Sequence, residues 1–251
     1  EEVLADGTHE RCGSKISKKD LPQWIFKITD YADRLLTDLE GLEWPEGILA
    51  MQRNWIGRKE GINIDYEIKD SPKKITCFTT RPDTNFGATF IVIAPEHELV
   101  KEIIKGRLKN QETDTGRIKE YVDRSTSKSE IERQEEGKKK TGVFTGFYAI
   151  NNLNGREMPI WISDFVLSNF GTGAVVGVPG HDIRDFEFAH EFGLDILRVV
   201  VGSDNDKSEI TKKEQVQEKE GKMINSDFLD GLDIHDATTK VMDHMEEKGW
   251  G

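Results

Sequence analysis

Short runs of β-branched and aromatic residues recur along this chain of 251 residues. Some of these runs are wholly apolar and others alternate with polar residues, and both patterns favour β-strands. Strands are predicted at 63–68, 75–80, 88–94, 143–150, 158–163, 174–178 and 196–201. Because strands outnumber helices and come at hairpin-like spacing, the pattern predicts an α+β fold with a β-barrel core and peripheral helices.

Apolar residues at three- and four-residue spacing predict the helices. The longest stripe starts at Leu21 and Trp24 and ends near Gly41, with Ser17 as its predicted cap and Asp20 in its first turn. Further helices are predicted at 96–105, 183–192 and 237–248.

A break at 44–47, with the sequence Trp-Pro-Glu-Gly, separates two predicted parts of the chain. Residues 1–50 are predicted to form an N-terminal helical segment, and residues 51–251 the main domain. The strongly charged residues 202–222 are predicted to be a mobile surface segment.

A polar turn separates the predicted strands 75–80 and 88–94 and carries hydroxyl groups and one cation. Proline cannot donate to a sheet ladder, and a Pro-Asp pair favours a turn. Two rigid strands would therefore present Thr79, Thr80, Arg81 and Thr84, as scaffolds present binding and catalytic residues. The plain alternative is a connection whose polar residues only face water.

A second stretch, residues 171–189, has a glycine-rich start, an apolar strand, a Pro-Gly break and then a helix. Asp182 and Asp185 open this helix, and an aspartate in such a place is usually an N-cap. His181 titrates near neutral pH, so it is a candidate general base, but a hydrogen-bonded structural histidine is equally in keeping with this position. No Ser-His-Asp order and no His-Glu-x-x-His motif points to a nucleophile or a metal.

Charge and cysteine content narrow the choice of partners and compartment. The formal net charge of −12 argues against a broad phosphate-binding surface, although a local basic patch, such as the lysines at 138–140, could still contact RNA. An ordinary exposed loop is the alternative for those lysines.

Cys12 and Cys77 form no Cys-x-x-Cys motif, which predicts a reducing, cytoplasmic compartment. No apolar run approaches the ~20 residues of a membrane span, so no membrane partner is expected.

Taken together, the two stretches resemble the editing domain of leucyl-tRNA synthetase, a connective-peptide insertion of a class I synthetase. The resemblance covers nearly the whole chain, and residues 51–61 (MQRNWIGRKEG) are similar to the bacterial type at the start of the insertion. The chain departs from the family pattern at Asn85, where leucine is expected, and at Val176, where many members have methionine. The motifs that carry the resemblance are TTRPDT (79–84), GATF (87–90), APEH (94–97), GTGAV (171–175) and VPGHDIRD (178–185).

The resemblance implies post-transfer editing. The expected reaction is hydrolysis of tRNA(Leu) mischarged with isoleucine, norvaline or methionine, by a positioned water, with leucyl-tRNA sterically excluded. No cofactor is expected for editing, since ATP would be used only by the synthetic domain outside this sequence. The expected partners are the 3′ acceptor end of tRNA(Leu), its aminoacyl-adenosine moiety and the rest of the synthetase in cis. The alternatives are a valyl- or isoleucyl-type editing domain and a catalytically silent module that binds the acceptor end.

The resemblance also implies roles for individual residues. Asp185 would bind the α-ammonium group of the ester, with Asp182 beside it as a second contact or as the helix cap. Thr84 would block the branched leucine side chain, in a pocket lined by Val176 and Val178.

The remaining roles concern the reacting ester and the terminal nucleotide. Thr79 and Thr80 would hold the water or the ester carbonyl, and Arg81 would contact the terminal phosphate or support the loop. Backbone N–H groups around Gly173 would receive the terminal nucleotide or the developing oxyanion.

Overall fold

A computed structural model of the protein describes residues 2–4, 7–16, 21–129, 132–133, 139–169 and 171–251. The chain divides into two compact units, Glu1–Arg58 and Lys59–Gly251.

The first unit contains little regular structure. It has a 3₁₀ turn at Ile28–Tyr31 and two helices, α1 (Ala32–Thr37) and α2 (Glu46–Ile56), the second of which spans the predicted boundary at 50/51. The long helix predicted to end near Gly41 is therefore wrong in extent, and its predicted cap Ser17 and first-turn Asp20 lie outside the described residues. Most of the apolar stripe is exposed, with Trp24 fully in solvent and only Leu39 buried among its described residues, and a short helix with little packing is marginal in water.

The second unit is built on a six-stranded sheet. In sheet order the strands run β2-β1-β4-β5-β3-β6, and β6 comes back beside β2, so that the sheet nearly closes on itself. Every hydrogen-bonded pair in this sheet is antiparallel except β3 with β5. The predicted α+β fold with a barrel core is confirmed. The strands are β1 (Ile62–Ile68), β2 (Lys74–Thr79), β3 (Phe90–Ile93), β4 (Val143–Ile150), β5 (Glu157–Ile162) and β6 (Ala174–Gly177).

Helices and short turns surround this sheet. The helices are α3 (Glu98–Ile104), α4 (Thr115–Thr126), α5 (Ile183–Phe192) and α6 (Ile234–Lys248). A small second sheet pairs β7 (Val200–Val201) with β8 (Lys222–Met223), so the strand predicted at 196–201 is much shorter than expected. Single 3₁₀ turns lie at Pro82–Gly87, Lys213–Gln215 and Asp227–Leu229.

Two packing contacts fix the part of the sheet that carries the candidate residues. Helix α6 packs against the turn Pro82–Gly87, which joins β2 to β3. Phe90 at the start of β3 pairs with Gly177 at the end of β6, and a Cβ on Gly177 would lie 2.3 Å from the Phe90 ring. The register therefore requires glycine at 177, because any side chain there would displace the buried ring.

Candidate active site

The two stretches singled out in the sequence are neighbours in the fold. Strand β3 follows the threonine turn (residues 79–84) and pairs with β6, and the Thr89 N–H donates to the carbonyl of Gly177 at 3.1 Å. At the other end of β6, a Cβ on Gly171 would lie 3.3 Å from the Cβ of Phe78 in β2. Sheet pairing therefore brings residues nearly ninety positions apart into one place.

The threonine turn is a buried 3₁₀ turn rather than an exposed loop. Thr84 is 1% exposed, and its hydroxyl donates to the carbonyl of Arg81 at 2.9 Å. Thr79 is half-buried and its Oγ1 accepts from the Arg81 N–H at 3.0 Å, whereas Thr80 is exposed. The bond from Thr84 fixes its first side-chain torsion, which is already stiff in a β-branched residue.

Arg81 holds the turn together. Its Nε and Nη2 donate to the two carboxylate oxygens of Asp83 at 2.9 and 2.7 Å, and Asp83 is fully buried. Its Nη1 donates to the backbone carbonyl of Glu218 at 2.5 Å. All three guanidinium nitrogens thus serve the protein in this structure, which is the loop-supporting role that the sequence left open for this residue.

Asp182 and Asp185 occupy different positions at the start of α5. Asp182 is the N-cap: its Oδ1 accepts from the N–H groups of Arg184 and Asp185 at 2.8 and 3.1 Å. Asp185 is 7% exposed, and its Oδ2 accepts from the N–H of Val178 at 2.8 Å. Burial, together with the negative charge of Asp182, raises the pKa of the Asp185 carboxyl. A cation that reaches this buried carboxyl would stabilise its ionised form.

His181 cross-links two segments. It is 5% exposed, its Nδ1–H donates to the carbonyl of Gln217 at 2.9 Å, and its Nε2 accepts from the N–H of Val199 at 2.9 Å. Burial lowers the pKa of the imidazole to about 4, so the ring is neutral at physiological pH. Both ring nitrogens are occupied, and this geometry favours the structural alternative over the general base.

The other candidates lie along β6. Val176 is buried within the strand, and Val178 is half-buried just after it, bonded to Asp185 as described. Gly173 comes just before the strand with a φ of 71°, a backbone conformation that favours glycine. Gly173 and Val178 are therefore about 16 Å apart along the direction of the strand.

Two residues that the sequence did not single out complete the site. Gln217 donates its N–H to the carbonyl of Gly180 at 3.2 Å, and Glu218 accepts the N–H of Ile183 on its Oε1 at 3.3 Å. Because the same two residues also accept from His181 and Arg81, the segment 217–218 joins the threonine turn to the start of α5. It lies in the charged segment predicted to be mobile.

Some features of the described part of the chain lie outside this site. A cleft of about 510 Å³ beside Phe86, Leu197 and Ile210 is lined by none of the ten candidate residues. Among the described residues, no group of three or more His, Cys, Asp or Glu side chains could hold a metal ion. Within the same ranges, no helix combines the length and the apolar character needed to span a bilayer.

Comparisons with known proteins agree with this geometry. The family model described as "Leucyl-tRNA synthetase, editing domain" matches residues 53–246. Among solved structures, the ternary complex of Agrobacterium radiobacter K84 agnB2 LeuRS with tRNA and LeuAMS matches with a TM-score of 0.67 and 36% sequence identity. The match covers 98% of this chain and 26% of that one, so the chain spans about a quarter of the length of this relative.

Proposed function

Because the chain belongs to the leucyl-tRNA synthetase editing-domain family, we propose that it hydrolyses mischarged aminoacyl-tRNA(Leu) after transfer. Its substrates would be the isoleucyl, norvalyl or methionyl esters, and its partners the 3′ end of the tRNA with its aminoacyl-adenosine moiety. The rest of the synthetase would act in cis, with residues 1–50 linking it to the editing domain. The reducing conditions suggested by the two free cysteines favour the cytoplasm.

One observation carries this proposal: the buried carboxyl of Asp185 lies at the end of β6, beside the strand that leaves the threonine turn. An aminoacyl ester presents an α-ammonium group, and a carboxylate is the partner that binds it through charge-assisted hydrogen bonds. Arrival of the ammonium lowers the raised pKa of Asp185 and ionises it. The anchor is thus strongest for a ligand that carries a positive charge.

Exclusion of leucine would rest on Thr84. A site cannot separate similar aliphatic side chains well by attraction alone, since one methylene is worth only about 1–3 kcal/mol, as sister synthetases illustrate. A rigid obstacle discriminates better, because the clash applies only to the wrong shape. Thr84 is suited to this role because its hydroxyl is bonded to Arg81 and its side chain cannot rotate away.

Hydrolysis would use a water held by the substrate and the turn. Thr80 is the exposed hydroxyl of the turn, and Thr79 lies next to it with its oxygen on the Arg81 N–H. The free ribose hydroxyl of the terminal nucleotide would complete the binding of the water. His181 contributes by holding Gln217 and Val199 in place rather than by taking a proton.

Deacylation of isoleucyl- and leucyl-tRNA(Leu) by the wild type and by Thr84→Ala tests this function. The wild type should hydrolyse only the isoleucyl ester, and the variant should hydrolyse both. Thr239→Ala, at an exposed position on α6, is the matched control and should behave as wild type. A Thr84→Ala protein that still spares leucyl-tRNA would contradict the steric role. Binding of the acceptor end without hydrolysis by the wild type would instead favour the silent module.

A further inference from the structure

A second cleft, of about 460 Å³, lies against helix α5 and is rich in lysine. Among the described residues that line it, four lysines face two glutamates of α5, which leaves a surplus of two positive charges. The chain as a whole has a net charge of −12, so this cleft is a local exception to its electrostatic character. The charged residues are Lys139, Lys140, Lys212, Lys213, Glu187 and Glu191.

The ion pairs in this cleft do not neutralise it. Lys139 Nζ lies 2.8 Å from a carboxylate oxygen of Glu191, and Glu187 is shared between Lys213 at 2.7 Å and Lys140 at 3.5 Å. The hydrogen bond from Lys213, aided by the charge of Lys140, lowers the pKa of the Glu187 carboxyl. The Lys139 side chain is 75% exposed, and exposed pairs of this kind are weak, so a phosphate can take the place of the glutamate.

The cleft and the candidate active site share helix α5. Phe186 lines the cleft, and Phe186 directly follows Asp185 on α5. The charge of Lys140 also acts on the Asp185 carboxyl, where it partly offsets the effect of burial. The positive charge of Lys140 therefore reaches the carboxyl that is proposed to bind the ester.

We propose that this lysine cleft binds phosphates of the RNA strand whose 3′-terminal ester reaches Asp185. The proposal rests on the proposed function and adds a phosphate-binding surface to it. Ammonium groups are point-charge partners for phosphates, and a positive cleft in a negative surface steers a polyanion to one place. Of the lysines at 138–140, Lys139 and Lys140 take this role, while Lys138 lies outside the described residues.

The test compares two variants that each remove two positive charges. Lys139→Gln with Lys212→Gln changes the cleft, and Lys105→Gln with Lys119→Gln changes two exposed lysines elsewhere. The probe is a fluorescently labelled RNA minihelix of the tRNA(Leu) acceptor stem that ends in CCA. Its Kd is measured by fluorescence anisotropy on the whole chain between about 50 and 200 mM salt.

Each lost contact with a single-stranded phosphate should reduce the salt slope by about 0.7. For two contacts, the wild-type affinity should fall about sevenfold more than that of the cleft variant over this fourfold rise in salt. The control pair should keep the wild-type slope, and Lys139→Arg with Lys212→Arg should restore it. Equal slopes for the cleft and control pairs would overturn the proposal.

Hydrolysis of isoleucyl-adenosine, an ester without phosphate, separates this proposal from the proposed function. The wild type and the cleft variant should hydrolyse it at equal rates, because the cleft does not touch the ester. Failure of the wild type to hydrolyse any ester would refute the proposed function, and the anisotropy comparison would still decide the role of the cleft. If the cleft variant bound RNA like the wild type but hydrolysed isoleucyl-adenosine slowly, the result would contradict the proposed phosphate-binding role of the cleft.

Discussion

The carboxyl of Asp185 does two things that substitution can separate. One oxygen accepts the N–H of Val178 within the protein, and the group as a whole carries the charge proposed to bind the ammonium of the ester. Asp185→Asn keeps an oxygen for Val178 but loses the charge. Asp185→Ala loses both.

The expected magnitudes differ accordingly. A charge-assisted hydrogen bond contributes about 1.5–3 kcal/mol, so Asp185→Asn should lower kcat/KM for deacylation about 10- to 150-fold. Its free energy of unfolding should stay close to that of the wild type. Asp185→Ala should lose the same activity and also about 1–3 kcal/mol of stability, because the buried N–H of Val178 is left without an acceptor.

The pH dependence gives an independent readout of the same group. Because burial and Asp182 raise the pKa of Asp185, wild-type kcat/KM should rise with pH as this carboxyl ionises, and the Asn variant should lack that rise. The folded carboxyl also binds its proton more tightly than the unfolded one. This group therefore favours the fold at low pH, and its contribution is lost as pH rises from the unfolded pKa towards the raised folded pKa.

Deacylation kinetics from about pH 5 to 9 and urea unfolding at the same values would measure both effects. Asp243→Asn, on the exposed face of α6, is a control that removes one carboxylate without touching the site. If the Asp185→Asn protein had the same kcat/KM as the wild type across this pH range, the assignment of Asp185 as the group that binds the ammonium would be refuted.

Two further predictions concern stability. Since the pKa of His181 is lowered to about 4, the unfolded chain binds the proton first, and this ring alone should contribute a loss of about 2 kcal/mol of stability between pH 7 and pH 5, opposite in sign to the contribution of Asp185. Urea unfolding of His181→Gln should lack this contribution, and a pH dependence identical to that of the wild type would contradict the buried neutral ring. Tyr66 donates its buried hydroxyl to Asn85 Oδ1 at 2.6 Å, so Asn85→Leu should cost about 1–3 kcal/mol. Adding Tyr66→Phe should recover part of that loss in a double-mutant cycle, whereas additive losses would show that the bond has no role.

Much of the sheet could be predicted from the sequence, as could the two stretches that carry the candidate site. Strands β1 to β6 follow apolar and alternating patterns, rich in β-branched and aromatic residues, that favour strands, and the helix Ile183–Phe192 has a capping aspartate and a terminal Gly193. The threonine turn combines several threonines with one arginine, and the start of α5 has two aspartates three positions apart. These combinations distinguish the two stretches from the rest of the chain. The pairing of Tyr66 with Asn85 also gives a physical reason for an asparagine where leucine is expected.

Other parts could not be predicted, for two physical reasons. The stripe from Leu21 to Gly41 has helical periodicity, but periodicity does not reveal whether a surface is available to pack against, and most of the apolar side chains in this stripe are exposed. Gln217 and Glu218 hold His181 and Arg81 through backbone carbonyls, which every residue possesses. Contacts made by backbone carbonyls do not depend on the type of side chain, so the sequence does not reveal them.

The bond from Arg81 to the carbonyl of Glu218 has a consequence for the order of events on the ribosome. It joins residues 137 positions apart in the chain. At about 5–20 residues per second, about 7–27 s of translation separate the two partners. Throughout this interval a nascent chain carries the threonine turn without the Glu218 carbonyl that accepts from Arg81. The turn therefore gains this support only late in the synthesis of the domain.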